Sequence, residues 1–307
     1  MAADDSAPDA ALLKKWSQEQ DDMKKASQSQ APVALDPSKL QFIAGTDISF
    51  VKDSNVSVSC IAVTTAPPEN TLVWSQTRVC SIDVPYIPGF LAFREVGPLM
   101  DIAESLRAEC AAAGGATATD SQSMPGSQST DDSLQAVDSD AASGRWPVVT
   151  WRHPSIQVQW PDVFLVDGNG ALHPRAFGLA CHLGVLLRAP TIGIGKKLMA
   201  VDGLRREALM ALIHAEHGEG GMRQQGDYTM LVGASGATHG AAVILGNKAR
   251  NPTYVSVGHM VDLDTAVRVA VAASAHRVPE AIRQADHIGR ERVRRGLGGK
   301  VGPLPLA

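Results

Sequence analysis

The sequence has few cysteines and no long apolar segment, and both shortages exclude whole classes of protein. Its four cysteines, at positions 60, 80, 110 and 181, show neither a CxxC pair nor the spacing of zinc ligands. No apolar run reaches the roughly 18 to 20 residues that span a bilayer. The acidic stretch "MAADDSAPDAALLKKW" lacks the apolar core of a secretory signal. We therefore expect reduced thiols, no membrane partner, and a location in the cytoplasm, the nucleus or both, with the nucleolus included.

Three motifs of common enzyme classes are also missing from the sequence. It contains no GxGxxG dinucleotide loop, no GxxxxGK[ST] phosphate loop and no GxSxG nucleophile elbow. The glycines of "VDGNG" do not have the dinucleotide-loop spacing. These absences argue against a Rossmann-type cofactor enzyme, a P-loop NTPase and a serine hydrolase.

The chain also lacks a large net charge, which argues against a generic polyanion binder. Its 28 Lys and Arg against 32 Asp and Glu give −4. Residues 111–144 hold five Asp and no Lys or Arg, so the remainder has 28 − 27 = +1. The C-terminal stretch "IRQADHIGRERVRRGLGGK" is basic. Local binding of nucleic acid therefore remains open.

The composition predicts one globular domain with an interruption. Residues 1–36 read as a charged helix followed by a linker, residues 37–298 as a single domain, and residues 299–307 as a tail. Residues 111–144 contain almost no large apolar side chain, so we expect a disordered insertion in a surface loop.

The order of elements predicts an α/β fold. Three runs rich in Val, Ile and Thr ("LQFIAGTDISFV", "VSVSCIAVTTA", "NTLVWSQTRVCSI") are joined by short turns, which is typical of antiparallel strands. A helix follows, and then the strand "DVFLVDG", a helix starting at "HPR", and the strand "PTIGIG". A strand–helix–strand unit implies parallel pairing. We predict a ribonuclease H-like mixed sheet, with three antiparallel strands first, parallel strands next and helices on both faces.

Four acids are candidates for chemistry, although each also has an ordinary structural explanation. Asp47 lies within the first strand, and Asp167 ends the central strand, where α/β sheets collect ligands. Glu95 sits in the first turns of a helix, and Asp286 sits among helix arginines. Taken singly, Asp47 could be exposed on a strand face, and Asp167 could cap the turn into the next helix. Glu95 could be a first-turn Glu that the helix dipole favours, and Asp286 could form a surface ion pair.

Taken together, these acids predict a metal site. Asp47, Asp167 and Glu95 come from elements that this fold can bring together, and clustered carboxylates repel unless a cation neutralises them. Mg²⁺ prefers oxygen ligands, and metal ions can assist phosphodiester hydrolysis. We therefore expect Mg²⁺ as the cofactor, with Mn²⁺ able to substitute.

Other residues suggest contacts with nucleic acid. The stiff turn "PYIPG" presents Tyr86 and Ile87, which read either as a wedge between bases or as a proline-rich connector. Lys196 and Lys197 follow a strand and could contact phosphate or simply be exposed. His173 and Arg175 are expected to open the helix after Asp167, where they would be solvated or would contact phosphate or sugar.

Five segments together resemble the endonuclease V family, and the runs "KKWSQEQ" and "GKKLMAVDGL" resemble its eukaryotic-like branch. The five segments are "GTDISF", "PYIPGFLAFREVGPL", "DVFLVDGNGALHPRAFGLACHLGVLLRAPTIGIGKKL", "YVSVGH" and "PEAIRQAD". The resemblance implies a ribonuclease H-like nuclease that cuts the second phosphodiester 3′ to inosine and leaves 3′-hydroxyl and 5′-phosphate ends. Partners would be inosine-containing DNA or RNA, and we expect a monomer.

The same resemblance assigns roles by motif position. The catalytic set would be Asp47, Glu95, Asp167, Asp286 and Lys196, with Asp47, Asp167 and Glu95 as metal ligands. Nucleic-acid contacts would come from Tyr86, Ile87, Pro88, His173, Arg175 and Lys197, and the base pocket from main-chain groups around Gly89, Leu91 and Gly168.

Two functions of other classes remain open from the residues alone. The chain could be a non-catalytic nucleic-acid-binding module that has kept the fold, or a metal nuclease without base preference. Within the inosine-specific alternative, the sequence leaves DNA and RNA unresolved as natural substrates.

Overall fold

A computed structural model describes residues 10–82, 84, 87–114, 134–137, 147–218, 221–247 and 249–297. Its strands are β1 (Phe42–Phe50), β2 (Val56–Thr65), β3 (Leu72–Ser81), β4 (Leu134–Val137), β5 (Val148–Arg152), β6 (Val163–Asp167), β7 (Thr191–Gly195), β8 (Tyr228–Val232), β9 (Thr238–Val243) and β10 (Thr253–His259). Its helices are α1 (Ala10–Gln28), α2 (Leu91–Gly114), α3 (Leu179–Leu187), α4 (Arg206–His217), α5 (Leu263–Ala272) and α6 (Glu280–Arg294), with a 3₁₀ turn at Pro37–Lys39. None of the helices in these ranges is long and apolar enough to cross a bilayer.

The strands form one sheet in the order β4-β5-β3-β2-β1-β6-β7-β10-β9-β8. The first three strands are antiparallel neighbours, as predicted. Strands β6 and β7 run parallel to β1, which confirms the ribonuclease H-like arrangement. The parallel part ends there, because β10, β9 and β8 each run antiparallel to their neighbours.

Helices cover both faces of the sheet, and each face has its own core. On one face α2 and α3 pack on β1, β2 and β6, with Leu99 and Phe164 fully buried between them. On the other face α5 and α6 bury Ile282 against Leu165. Successive residues of β6 thus serve opposite cores, which is why this strand is apolar throughout.

Helix α6 lies unusually close to β1. A Cβ atom added to Gly45 would lie 2.1 Å from the carbonyl carbon of Ala281, so no other residue fits there. A Cβ on Gly289 would lie 2.9 Å from the hydroxyl of Ser49. These two glycines bring the α6 backbone against the strand that carries Asp47.

The structure corrects the predicted start of α3. The helix begins at Leu179, so His173 and Arg175 lie in the preceding turns and do not open it. The backbone of this segment folds on itself: the amide of Ala176 donates to the carbonyl of His173 at 2.7 Å. The amide of Gly178 then donates to the carbonyl of Gly170 at 2.9 Å and not to that of Pro174, which excludes a continuous helix from 173.

Two parts of the 111–144 segment belong to helices or strands. Helix α2 continues to Gly114, and Leu134–Val137 pairs antiparallel with β5, from Leu134 opposite Trp151 to Val137 opposite Val148. The strand needs only backbone hydrogen bonds to the edge of β5, so the poverty in large apolar residues does not prevent it. The rest of the segment, and the tail at 299–307, lie outside the described residues.

Candidate active site

Asp47 and Asp167 lie side by side at one edge of the sheet. Strands β1 and β6 are parallel and pair Thr46 with Val166, so the next residue on each strand brings the two acids together. Their carboxyl groups share a hydrogen bond. The hydroxyl of Ser49, two residues along the same face, donates to Asp47 at 3.2 Å. Two acids separated by 120 positions in sequence therefore occupy one site.

This pair is electrostatically unfavourable without a cation. Asp47 is only 6% exposed. Burial, followed by the hydrogen bond and the charge of Asp167, raises the pKa of Asp47 from 3.8 to about 8. The charge of Asp286, on α6, adds to the rise. Two close carboxylates cannot both ionise cheaply in a buried site, so a proton or a cation must reside there.

Lys196 supplies part of the compensating charge. Its ammonium group lies 2.6 Å from the Asp167 carboxylate, and both side chains are largely shielded from water. Burial opposes the charge of Lys196, but the carboxylate of Asp167 and the other acids outweigh it and raise the lysine pKa. Asp286 is itself paired with Arg290 at 2.9 Å, which is the ion pair that the ordinary explanation predicts. One lysine thus faces three acids.

Glu95 reaches the same place from the opposite face. It is 8% exposed on α2, and burial raises its pKa from 4.5 to about 7, with Arg94 opposing and Asp167 adding to the rise. Glu95, Asp47 and Asp167 line one cavity of about 480 Å³. Its size lies within the range of small-ligand sites.

The residues fit a divalent ion held by two carboxylates. In the described part of the chain, no three His, Cys, Asp or Glu side chains form a group that could hold an ion, and the predicted place of Glu95 as a third ligand stays a prediction. Mg²⁺ commonly uses one or two carboxylates and keeps several waters. The buried, proton-sharing pair of Asp47 and Asp167 meets that requirement.

The predicted base pocket coincides with the same cavity. Gly89, Leu91 and Gly168 all line it, together with Pro88. Gly89 has φ +86°, a left-handed conformation that favours glycine at this turn. Ile87, predicted to belong to a wedge, is 6% exposed and packs inward instead. Tyr86 lies outside the described residues.

His173 also lines the cavity, while Arg175 is engaged elsewhere. Burial, with a contribution from Arg175, lowers the pKa of His173 to about 4, so this imidazole is neutral near pH 7. The guanidinium of Arg175 donates to Asp21 at 2.8 Å and to the Ser17 carbonyl at 3.2 Å, both on α1. Arg175 thus anchors α1, and its predicted contact with nucleic acid stays a prediction.

Sequence reasoning missed the part that α1 plays. Gln20 is 1% exposed, and its amide donates to the carbonyls of Phe177 at 2.7 Å and Gly89 at 3.4 Å. Its own carbonyl accepts from Arg175. Gln20 therefore ties together the two loops that wall the cavity. The only sequence signal was an amide on the apolar side of a charged helix. Asn169 and Met199 also line the cavity. Asn169 lies in the glycine-rich run "VDGNG", and no pattern in the sequence singled out Met199.

The sequence profile of one family, Endonuclease V, matches residues 23–115 and 147–287. The chain is also 35% identical over 268 residues to human endonuclease V, covering 87% of this chain and 77% of that protein. This protein belongs to the endonuclease V family. Mouse endonuclease V is 36% identical over 272 residues, covering 87% of this chain and 64% of the mouse protein. The family match starts within α1 and skips residues 116–146.

Solved structures of the family share the fold. A crystal structure of human endonuclease V superimposes with a TM-score of 0.70 at 33% identity, covering 93% of this chain and 99% of that one. A structure of Ciona intestinalis endonuclease V, in complex with DNA containing an inosine followed by a ribo-adenosine, has a TM-score of 0.70 at 24% identity, covering 94% and 99%. Endonuclease V proteins are metal-dependent hydrolytic nucleases, which agrees with the carboxylate pair described above.

Proposed function

We propose that this protein is a Mg²⁺-dependent endonuclease that hydrolyses a phosphodiester on the 3′ side of inosine in DNA or RNA, with Mn²⁺ able to substitute. The observation that carries the proposal is the hydrogen-bonded pair of Asp47 and Asp167 in the lining of a cavity of about 480 Å³. The Ciona protein was crystallised with inosine-containing DNA, and we propose that the present protein recognises the same base.

Asp47 and Asp167 would hold the ion. When bound, a divalent cation supplies positive charge that neutralises the phosphodiester and lowers the pKa of water. Because Asp47 is protonated at neutral pH without a cation, loading of the site releases a proton from its carboxyl group. Lys196 donates to Asp167 and presents its remaining N–H groups to the phosphate.

Glu95 is the residue best placed to exchange a proton. Its pKa of about 7 lets it hold or release a proton near neutral pH, and its carboxyl group faces the cavity. A general base works best when its pKa lies near the working pH. We assign Glu95 to take the proton of the attacking water, with Asp286 left to its pair with Arg290.

The cavity walls would select the base. Hypoxanthine lacks the 2-amino group of guanine, so a close-fitting pocket around Gly89, Leu91 and Gly168 can exclude guanine by size. An inosine pair is weaker than a normal pair, which lowers the cost of extruding the nucleotide. The neutral imidazole of His173 can accept or donate a hydrogen bond to the bound strand.

The setting of the protein is part of the proposal. All the acids of the site come from one chain, so we propose a monomer. The four cysteines are unpaired thiols, which fits a reducing compartment. We therefore propose the cytoplasm or the nucleus, including the nucleolus.

Cleavage of matched strands tests the function. DNA and RNA strands of one sequence, each with a single inosine or an adenosine in its place, are incubated with the protein and Mg²⁺, Mn²⁺ or EDTA. With Mg²⁺ we expect one cut at the second phosphodiester 3′ to inosine, with a 5′-phosphate on the downstream product. In EDTA we expect no cut. The ratio of DNA to RNA rates identifies the preferred strand.

Two variants and a control complete this experiment. Asp47→Ala and Asp167→Ala should abolish cleavage, whereas Asp53→Ala, at an exposed turn, should retain it. Strand breakage that persists in both site variants would show that the protein is a binding module copurifying with a nuclease. Equal cutting of the adenosine strands would instead support a metal nuclease without base preference.

A further inference from the structure

A groove of about 450 Å³ lies next to the candidate active site and is lined by positive charge. Residues 196–200 separate the two spaces, since Met199 lines the cavity while Lys197 and Leu198 line the groove. The cations that line the groove are Lys196, Lys197, Arg205, Arg206 and Arg277. No Asp or Glu is found among the described residues of its lining, in a chain whose net charge is −4.

Helix stability does not explain these charges. Arg205 and Arg206 stand at the N-terminus of α4, and Arg205, at the N-cap position, makes no side-chain capping bond. Positive charge at this end opposes the helix dipole and costs stability. Within the described ranges, neither arginine forms an ion pair with a carboxylate, and both are exposed. Their placement suits an external anion.

Arg277 connects this groove to the catalytic lysine. Its guanidinium donates to the carbonyl of Lys196 at 2.8 Å and to that of Pro252 at 3.3 Å. The ammonium group of Lys196, at the rim of the groove, meets Asp167 at 2.6 Å. A linear polyanion that extends from Asp47 and Asp167 toward this side would therefore contact Lys196 first, and then Lys197 and the two arginines.

We propose that this groove binds the phosphates of the nucleic-acid strand on the 3′ side of the scissile phosphodiester. The inference rests on the proposed function, which places inosine in the 480 Å³ cavity and the scissile phosphate at Asp47 and Asp167. Inosine lies 5′ of the cut. Since the cavity holds the 5′ side, the groove on the other side of residues 196–200 receives the nucleotides that follow the cut.

Binding by strands of different length tests this assignment. Single strands carrying one inosine, with either three or twelve nucleotides beyond the scissile phosphodiester, are titrated by fluorescence anisotropy in Mg²⁺. An Asp47→Asn background prevents cutting. We expect the longer 3′ side to raise affinity at least fivefold in this parent and less than twofold after adding Arg205→Ala and Arg206→Ala. The double control Lys39→Ala and Arg268→Ala, which removes the same charge from exposed positions, should keep the gain.

Salt dependence gives a second readout. Each phosphate contact with a single strand contributes about −0.7 to the slope of log affinity against log salt. Loss of two contacts reduces the slope by about 1.4, so between 50 and 200 mM salt the affinity of the parent falls about sevenfold further than that of the arginine variant. Thermal melting of each variant verifies that it is folded.

The outcomes separate the two proposals. If the wild-type protein does not cut inosine strands, the proposed function fails. If it cuts them but Arg205→Ala and Arg206→Ala leave the gain from the longer 3′ side intact, only the groove assignment is wrong. If the arginine substitutions instead remove a gain in affinity from a longer 5′ side, the strand runs in the opposite direction and the groove assignment is equally wrong.

Discussion

Replacing Asp47 with asparagine should stabilise the metal-free protein at neutral and alkaline pH. In the folded chain the pKa of Asp47 is raised from 3.8 to about 8, chiefly by burial and then by Asp167. The folded state therefore holds a proton that the unfolded chain releases above pH 4. Stability is greatest below that pH and declines as the pH rises toward 8. Asparagine keeps the shape and a donor toward Asp167 without the charge.

The pKa values set the size of the effect. Each pKa unit corresponds to about 1.4 kcal/mol, so the rise from 3.8 to about 8 gives a ceiling of about 6 kcal/mol above pH 8. At pH 7 the corresponding ceiling is about 4 kcal/mol. Because Asp47 interacts closely with Asp167 and water can enter the site, we expect about 2 to 4 kcal/mol, which raises Tm by about 5 °C or more.

Thermal melting in EDTA from pH 5 to pH 9 measures this prediction. The Tm of the wild-type protein should fall relative to that of Asp47→Asn as the pH rises, and the gap should be largest at pH 9. Asp53→Asn makes the same substitution at a side chain that is 86% exposed and should follow the wild type. Added Mg²⁺ should then stabilise the wild type and leave Asp47→Asn almost unchanged. Parallel pH profiles for the two proteins in EDTA would refute the buried, proton-sharing pair.

Two further substitutions test neighbouring parts of the site. Lys196→Met removes the ammonium group 2.6 Å from Asp167. We expect cleavage of an inosine strand at saturating substrate to slow about 100-fold, the usual effect of losing one electrostatic contact in an active site. A decrease in rate of less than threefold would contradict this role of Lys196. Gln20→Ala leaves the buried carbonyl of Phe177 and the part-buried carbonyl of Gly89 without their donor, so the free energy of unfolding in urea should fall by about 1 to 3 kcal/mol. The exposed Gln18→Ala, on the same helix, should change it by less than about 0.5 kcal/mol.

The sequence was sufficient to predict the central sheet and the acid pair. The strand "VFLVDG" is apolar on both faces, which requires a position inside a parallel sheet, and Asp167 ends it. Asp47 is a charged residue in an otherwise buried strand, which calls for a partner. Two such anomalies on strands that the fold order makes neighbours predict one site, and the structure places them together.

The local backbone of the loops could not be predicted in the same way. The run "HPRAFGLACHLGV" has helical apolar spacing from its start, yet a positive φ of 50° at Ala176 and the turns around it delay α3 until Leu179. The edge strand β8 was not predicted, because its five residues give only a short signal. Both cases depend on tertiary contacts that override local pattern.

The position of Glu95 explains why the site needs both faces of the sheet. Asp47 lies under α6, whose close approach depends on Gly45 and Gly289, whereas Glu95 belongs to α2 on the opposite face. Both acids line one cavity because the pairing of β1 with β6 stops at Thr46 and Val166, just before Asp47 and Asp167. The pair proposed to bind the ion and the acid proposed to exchange a proton are therefore held by separate cores. A substitution that loosens one core should shift one group without moving the other, so binding of the cation and cleavage can be perturbed independently.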